Sequence, residues 1–224
     1  MAKAKHQPVR IDFEVHGLIM VPDRNPLMLD ALLLALTGER FELPFPASAL
    51  PLATASNPAW PPGVFVWLAS ALEVQWQGPS SDRFLTRNAR PLEMLDDSGG
   101  HGATTVHFHS GLTKTTRTRI ALRHASTACA WCMGDVQALQ ELLSRLQALG
   151  ANRHAGHGLV QSVSVSVDPL AAERCWKRPL PGPHPNDPWA AARFPTGGRS
   201  TPPYWDRDLS QQAWWPTASS RAVG

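Results

Sequence analysis

The chain has 224 residues, of which 43% are hydrophobic and 17% charged, and its formal net charge is +3. This composition supports one large domain or two small ones and excludes a chain that is disordered throughout. Three cysteines are too few for a disulfide framework, and no apolar stretch is long enough for a signal peptide or a membrane span. We therefore expect a soluble, cytoplasmic protein that has no membrane partner.

The first elements follow from hydrophobic periodicity. Residues 9–15 alternate apolar and polar side chains, which predicts a half-buried β-strand. Residues 27–36 are predicted to form a short apolar helix that ends at Gly38. The segment 42–62 is rich in proline and is predicted to be a loop. Residues 64–74 are either a buried strand or a strand that leads into a short helix.

The middle of the chain carries the excess positive charge. Its acidic residues are Glu93, Asp96 and Asp97, and its basic residues are Arg83, Arg87, Arg90, Lys114, Arg117, Arg119 and Arg123. Because the arginine fork matches the geometry of phosphate, this pattern favours a polyanionic partner. We predict a basic, hairpin-like insertion at about residues 80–123.

Cys129 and Cys132 have a spacing that is also found in zinc sites. Zinc needs four ligands, and Cys175 is the one cysteine that remains. In a strand the two side chains would also point to opposite faces. We therefore predict buried structural cysteines, no metal site and no cofactor.

His107 and His109 would lie on one face of a strand and could form a metal pair. No carboxylate accompanies them at a suitable spacing, and the cationic neighbourhood repels a divalent ion. A solvated or RNA-facing pair is the favoured interpretation. A general acid–base role in RNA cleavage stays open, because histidine titrates near neutrality.

The clearest unit comes next. Residues 126–133 are predicted to form a strand, and Asp135 is a candidate N-cap for an amphipathic helix that continues to Leu149. A glycine-rich loop at 150–158 leads to an alternating strand at 159–167. Together with the elements of the first half, this order predicts an α+β, ferredoxin-like β-α-β-β-α-β domain.

The glycine-rich loop follows a helix and precedes a strand, which is the reverse of the Walker A and dinucleotide-binding motifs. Gly156 and Gly158 permit a positive φ and a close backbone approach. Arg153, His154 and His157 supply donors beside exposed backbone amides. A glycine C-cap and a turn would account for Gly150 alone, and not for three glycines interleaved with these three residues.

After Asp168 the periodicity is lost. Residues 174–216 hold nine prolines and five tryptophans, an unlikely composition for an exposed flexible linker. We predict that residues 171–224 form an extended arm that packs on a domain of residues 1–170 through its aromatic side chains. A tail that docks on a partner is the alternative.

The motif Leu149-Gly-x-x-Arg-x-x-Gly-x-Gly-Leu-Val160 resembles the glycine-rich loop of the RAMP superfamily of CRISPR-associated proteins. Other segments resemble, in their order along the chain, the type IV Cas five-type subunit that binds the crRNA 5′ handle. These are residues 26–34, 50–52, 67–72, 83–90, 133–135, Lys177-Arg-Pro-Leu-Pro181 and Pro202-Pro-Tyr-Trp205.

The resemblance implies a non-catalytic subunit that caps the 5′ handle of a guide crRNA and closes one end of a filament of backbone subunits. Its implied partners are crRNA, the backbone and large subunits of the effector complex, and target DNA, in defence against mobile nucleic acid. Where the family has an aromatic residue between the loop glycines, this chain has His157.

The residues predicted to contact RNA lie in the basic insertion and the loop: Arg83, Arg87, Arg90, Lys114, Arg117, Arg119, Arg153, His154, Gly156, His157 and Gly158. An alternative function is a metal-independent RAMP endoribonuclease that processes the crRNA precursor with a histidine.

Overall fold

A computed structural model describes residues 6–20, 26–39, 45–87, 116–150, 156–202, 204 and 211–216, with the backbone alone at 85–87, 116–118, 197–198 and 211–212. The strands in these ranges are β1 (Gln7–His16), β2 (Leu18–Met20), β3 (Thr54–Ala55), β4 (Val66–Trp67), β5 (Glu73–Arg87), β6 (Thr116–Gly134), β7 (Leu159–Val167), β8 (Arg193–Gly198) and β9 (Gln211–Pro216). The helices are α1 (Leu29–Thr37), α2 (Val136–Leu143) and α3 (Ala171–Arg174), with 3₁₀ turns at Ala47–Ala49 and Ala190–Ala192.

The main sheet has five strands, and all of their pairings are antiparallel. The long strand β6 pairs on one side with β1 and β2 and on the other side with β5, while β7 pairs with the far side of β1. Gly17, with φ 97°, turns the chain between β1 and β2, so both strands follow the same edge of β6. The fold is thus a mixed α/β fold with an antiparallel sheet and few helices.

One face of this sheet forms the hydrophobic core. The alternation in β1 places Val9, Ile11, Phe13 and Val15 on that face, each no more than 5% exposed. Two helices cover them through Leu29, Leu33, Leu139 and Leu143. The sequence predictions of β1, β7 and α1 are confirmed, and Gly38 ends α1 in the left-handed region with φ 70°.

Two segments differ in part from their predictions. Residues 64–74 contain β4 and the start of β5, with no helix in this fully described stretch. Between those strands Ala69 forms a bridge with Cys132, and Ala71 forms one with Met28. The backbone N–H and carbonyl groups of this segment form hydrogen bonds with other parts of the chain, so the segment is extended rather than helical.

The amphipathic helix predicted to continue to Leu149 ends at Leu143, so its C-terminal half is wrong. Asp135 is the N-cap, as predicted, and its side chain accepts a hydrogen bond from the Ala138 N–H. Leu146 and Leu149 are buried, but outside the helix. Their segment pairs with the start of β7 instead, because the Leu149 N–H donates to the Gly158 carbonyl at 2.8 Å.

The cysteines lie as their spacing predicts. In β6, Cys129 is opposite Asp12 and Cys132 is opposite Val9, so the two side chains leave opposite faces of the sheet. Cys132 and Cys175 are buried and Cys129 is half-buried. Burial raises the pKa of the Cys132 thiol and raises that of Cys175 to about 12, which makes both thiols inert near neutral pH.

Arg178 joins the C-terminal segment to the rest of the chain. Its side chain is fully buried and forms an ion pair with Asp30 of α1, 3.0 Å away. The same guanidinium donates to the hydroxyl of Tyr204 and to the carbonyl oxygens of Ser200 and Trp67. Tyr204 in turn donates to Asp30 at 2.9 Å. The buried charges are therefore balanced and hydrogen-bonded, which such burial requires.

A second buried arginine follows in the same segment. Arg193 forms an ion pair with Asp187 and donates to the carbonyl oxygens of Trp176, Arg178 and Trp214. These contacts hold the hairpin of β8 and β9 against the turn after α3. None of the helices in the described ranges has the length and apolar character that crossing a membrane requires.

We expect Arg178→Met to lower the free energy of unfolding by about 3–5 kcal/mol, because it leaves the Asp30 carboxylate buried without its ion-pair partner. Urea denaturation followed by circular dichroism measures this loss. Lys177→Met is the matched control, since its ion pair with Glu73 is partly solvent-exposed and should cost no more than about 1 kcal/mol. Equal losses in the two variants would contradict the interpretation of the Arg178 network.

Candidate nucleic-acid interface

Strands β5 and β6 continue together beyond the rest of the main sheet. Residues 81–87 pair with residues 116–122, and β2 extends along β6 only as far as Leu122. We refer to these two stretches, 81–87 and 116–122, as the ribbon. Register shifts at Gln75/Trp76 and Gln77/Ser81 separate the ribbon from the sheet. Such irregularities bend a strand pair and increase its twist.

The described arginines of the ribbon lie on both of its faces. Arg83 is opposite Ile120, and Arg119 is opposite Phe84, so their side chains leave opposite faces. Arg119 forms an ion pair with Asp82 at 2.6 Å, with exposed fractions of 69% and 42% for the two side chains. A pair this exposed contributes about 1 kcal/mol or less, so a phosphate group can compete for the arginine.

Arg123 anchors the base of the ribbon rather than extending from it. Its Nε donates to the carbonyl oxygen of Gly78 at 2.7 Å, and its guanidinium lies 5.8 Å from the centre of the Trp76 ring. Both contacts are made where the register shifts occur. Arg123 therefore fixes the local bend between the ribbon and the sheet.

The other predicted residues of the insertion are described by their backbone alone or lie outside the described residues. Arg87 and Arg117 are described by their backbone alone, which pairs with Thr116 and Thr86. Arg90 and Lys114 lie outside the described residues. Their contact with RNA stays a prediction.

Gly158 is built into the interior of the glycine-rich loop. Its φ is +69°, and a Cβ placed on it would lie 2.1 Å from the carbonyl oxygen of Leu149. Its N–H donates to the Leu18 carbonyl, and its own carbonyl accepts from the Leu149 N–H. The close backbone approach that the sequence predicts is thus made to the chain itself, between β2 and the segment after α2.

The neighbouring loop residues differ from one another. Gly156 has φ +79°, and among the described residues no atom lies within 4 Å of a Cβ placed on it. His157 is only 6% exposed, and its Nε2 finds no hydrogen-bond partner in the described ranges. Stacking of His157 on a base would therefore require the ring to leave this position. Arg153 and His154 lie outside the described residues.

A cluster of cations, which was not among the predicted sites, surrounds Trp131. Arg10, Arg174 and Lys177 lie 5.9, 4.7 and 5.7 Å from the centre of its ring, on the sheet face away from α1 and α2. Asp12 pairs with Arg10 and Glu73 with Lys177, so the cluster has little excess charge. The alternation in β1, which sends Arg10 to the face opposite the core, was the available signal.

An open groove of about 860 Å³ lies on the helical side of the molecule. It runs between residues 47–54 and the C-terminal part of α2, and Glu141 of α2 and Arg145, which follows the helix, line it. Neither the ribbon nor the described loop residues contribute to it. Its lining is mixed in charge and does not select a polyanion.

A model of a protein family described as CRISPR type IV associated protein Csf3 matches residues 7–216. The match begins at the first residue of β1 and ends at the last residue of β9, so it includes the ribbon, the loop and both buried arginines. No curated protein matches the chain.

The geometry of the loop predicts that its two described glycines respond differently to substitution. Gly158→Ala should lower the free energy of unfolding by at least about 2 kcal/mol, because a backbone clash is added to the strain of a positive φ. Gly156→Ala is the matched control and should cost about 1 kcal/mol, from strain alone. Urea denaturation of both variants checks this, and an equal effect would show that Gly158 is not packed as described.

Proposed function

The chain belongs to the Csf3 family of type IV CRISPR-associated proteins, and on that basis we propose that it is a crRNA-binding, non-catalytic subunit of a guide-RNA effector complex. In this role it holds the 5′ handle of the crRNA in the cytoplasm. It also contacts the backbone and large subunits at one end of the complex, beside the path of target DNA. The observation that carries this proposal is the ribbon, which presents exposed arginines on both faces.

The arrangement of the main sheet supports a RAMP-type domain. Taken in chain order, β1, α1, β5, β6, α2 and β7 follow a β-α-β-β-α-β sequence, and their strands lie side by side in the order β7-β1-β6-β5. A ferredoxin-like sheet has the same strand order. In that plan each helix connects two parallel strands that are not neighbours in the sheet, as α1 connects β1 to β5 and α2 connects β6 to β7. The ribbon then corresponds to an extension of the hairpin formed by the second and third strands of that plan, β5 and β6.

The chemistry of the ribbon suits a phosphate backbone. Guanidinium groups donate two parallel hydrogen bonds to phosphate, and Arg83 and Arg119 carry this group on opposite faces. In the proposed complex a phosphate group takes the place of Asp82 as the partner of Arg119. Arg87, Arg90, Lys114 and Arg117 continue the same charge along the chain. An RNA end could therefore lie along either side of the ribbon.

In the glycine-rich loop the proposed roles divide by burial. Gly156 is exposed and leaves its backbone accessible, so it is a proposed RNA contact, together with Arg153 and His154, which precede it in the sequence. His157 and Gly158 are interior residues that shape the loop. Their proposed contribution to RNA binding is to position Gly156.

Two features of the described residues support a non-catalytic role over the endoribonuclease alternative. Tyr204 is the one tyrosine of the chain, and it is buried between Asp30 and Arg178; burial raises its pKa well above 10. His184 lies between the rings of Trp60 and Trp176, and both of its nitrogens are hydrogen-bonded. Neither side chain is placed to exchange a proton with RNA.

We expect exposed ribbon arginines to control RNA affinity. Replacing both Arg83 and Arg119 with Ala should weaken binding of a labelled crRNA that carries its 5′ handle by at least tenfold. The dependence of log affinity on log salt should become shallower by about 0.7 for each lost phosphate contact. Fluorescence anisotropy over a range of salt concentrations measures both quantities.

Arg145→Ala is the matched control for this experiment, because Arg145 is an exposed arginine just after α2, away from the ribbon. It should leave both the affinity and the salt slope unchanged. Wild-type affinity that does not vary with salt, or equal losses in the ribbon and control variants, would contradict RNA binding by the ribbon.

We also expect no cleavage of a repeat-containing crRNA precursor by the purified protein in EDTA, as followed on a denaturing gel over several hours. The chain is proposed to hold RNA without an acid–base pair to break it. Cleavage at one site in the repeat that is lost in a His→Ala variant would instead establish the endoribonuclease function.

A further inference from the structure

Among the described residues, the outer edge of β7 has backbone partners only at its start. On its inner side β7 pairs with β1 from Val167 to Leu159. On its outer side the segment after α2 reaches only the first two residues, through a bridge between Ala148 and Leu159 and a hydrogen bond from Val160 to Gln147. From residue 161 to 167, no strand in the described ranges pairs with this edge.

This edge has few of the features with which proteins protect open strands. A register shift at Glu14/Val15 leaves Gln161 without a partner in β1, and residues 162–167 pair regularly beyond it. Residues 159–167 contain no charge and no proline, and β-branched valines alternate with serines. Val167 is 56% exposed, and Val163 and Val165, which face the core, are only partly buried. From residue 162 to 167 the edge is thus uncharged and regular, and such an edge is a template for pairing with another strand.

The two faces of β7 are different in chemistry. Val163 and Val165 lie opposite Phe13 and Ile11 on the core face, and the serines lie opposite charged residues of β1 on the other face. A strand that pairs with this edge must therefore place apolar side chains beside the valines and small polar ones beside the serines. The sequence of β7 itself meets this requirement.

We propose that the free chain forms a two-fold symmetric dimer in which the β7 edges of two copies pair antiparallel to each other. With the axis at Ser164, valine lies opposite valine on the core face, and serine lies opposite serine on the other face. The two main sheets become one continuous antiparallel sheet with the helices on the same side.

The charges of β1 agree with this register. Arg10 lies beside Ser166, and Glu14 lies beside Ser162. In the dimer Ser166 faces Ser162 of the second copy, so each such row of side chains ends in a positive charge on one copy and a negative charge on the other. The middle row ends in Asp12 on both copies, because Ser164 lies opposite Asp12, and each of these carboxylates is paired with Arg10. No like charges face each other across the new strand pair, because residues 159–167 are uncharged.

Analytical ultracentrifugation over a hundredfold range of concentration tests the proposal. The weight-average mass of the wild-type chain should rise from 24.4 kDa towards twice that value. Ser164→Lys should weaken dimerisation at least tenfold, because it places two like charges opposite each other at the axis. Thr127→Lys is the control, since Thr127 is exposed on the same sheet face but lies on β6 between β1 and β5.

Circular dichroism and thermal unfolding of both variants verify that the fold is retained. A wild-type chain that stays monomeric over the whole range would overturn the proposal. The same would follow if both lysine variants weakened dimerisation equally, or if neither did.

A cross-linking experiment tests the register independently. In Ser164→Cys the two new cysteines would face each other, with their Cα atoms within the ~4.4–6.8 Å that a disulfide allows. In Ser162→Cys the Cα atoms of the two new cysteines would be about 13 Å apart. Mild oxidation should therefore yield a covalent dimer of the first variant and not of the second, with the wild-type chain as the control for its own cysteines. Equal cross-linking of both variants, or of neither, would contradict pairing at Ser164.

Discussion

The buried guanidinium of Arg178 is the interaction on which the arrangement of the C-terminal half depends. A positive charge without access to water must be matched by a negative charge and enough acceptors, and here these come from parts of the chain that are far apart in sequence. Asp30 comes from α1, a carbonyl comes from β4, and Ser200 and Tyr204 come from the segment between β8 and β9. Since the backbone carbonyl of Arg178 also accepts from Arg193, the two buried arginines form one connected network.

Elements with a local sequence signal could be predicted from the sequence, whereas contacts between residues that are far apart, such as those of this network, could not. Strands β1 and β7 and helix α1 have a local periodicity with a clear end, and the predictions for them hold. The pairing of Asp30 with Arg178 has no local signal, because 147 residues separate the two in the sequence. The early end of α2 was missed for a different reason: Leu146 and Leu149 remain buried, but their segment pairs with the start of β7, which follows the glycine-rich loop.

The glycine-rich loop shows the same limit for a candidate site. Glycine at 156 and at 158 indicates positive φ in the sequence, and the structure has it at both positions. Sequence alone does not tell which glycine makes room for a ligand and which makes room for the chain. The Leu149 carbonyl fills the space beside Gly158, and no described atom fills it beside Gly156. The arginines of the ribbon were predictable by composition, while the ion pair of Arg119 with Asp82 required the register of β5 and β6.

The position of β1 in the sheet has a consequence for the order in which the protein can form during synthesis. β1 pairs with β6 and β7, whose paired residues lie more than a hundred positions later in the chain. Helix α1 can cover the apolar face of β1 early, but neither edge of β1 has a strand partner until β6 has been made, and the second edge has none until translation has passed Val167. Folding that waits for such distant contacts is slow, and the nascent chain is exposed to aggregation in the meantime. A pause or truncation before β7 would thus leave an unpaired edge of β1 for chaperones to shield.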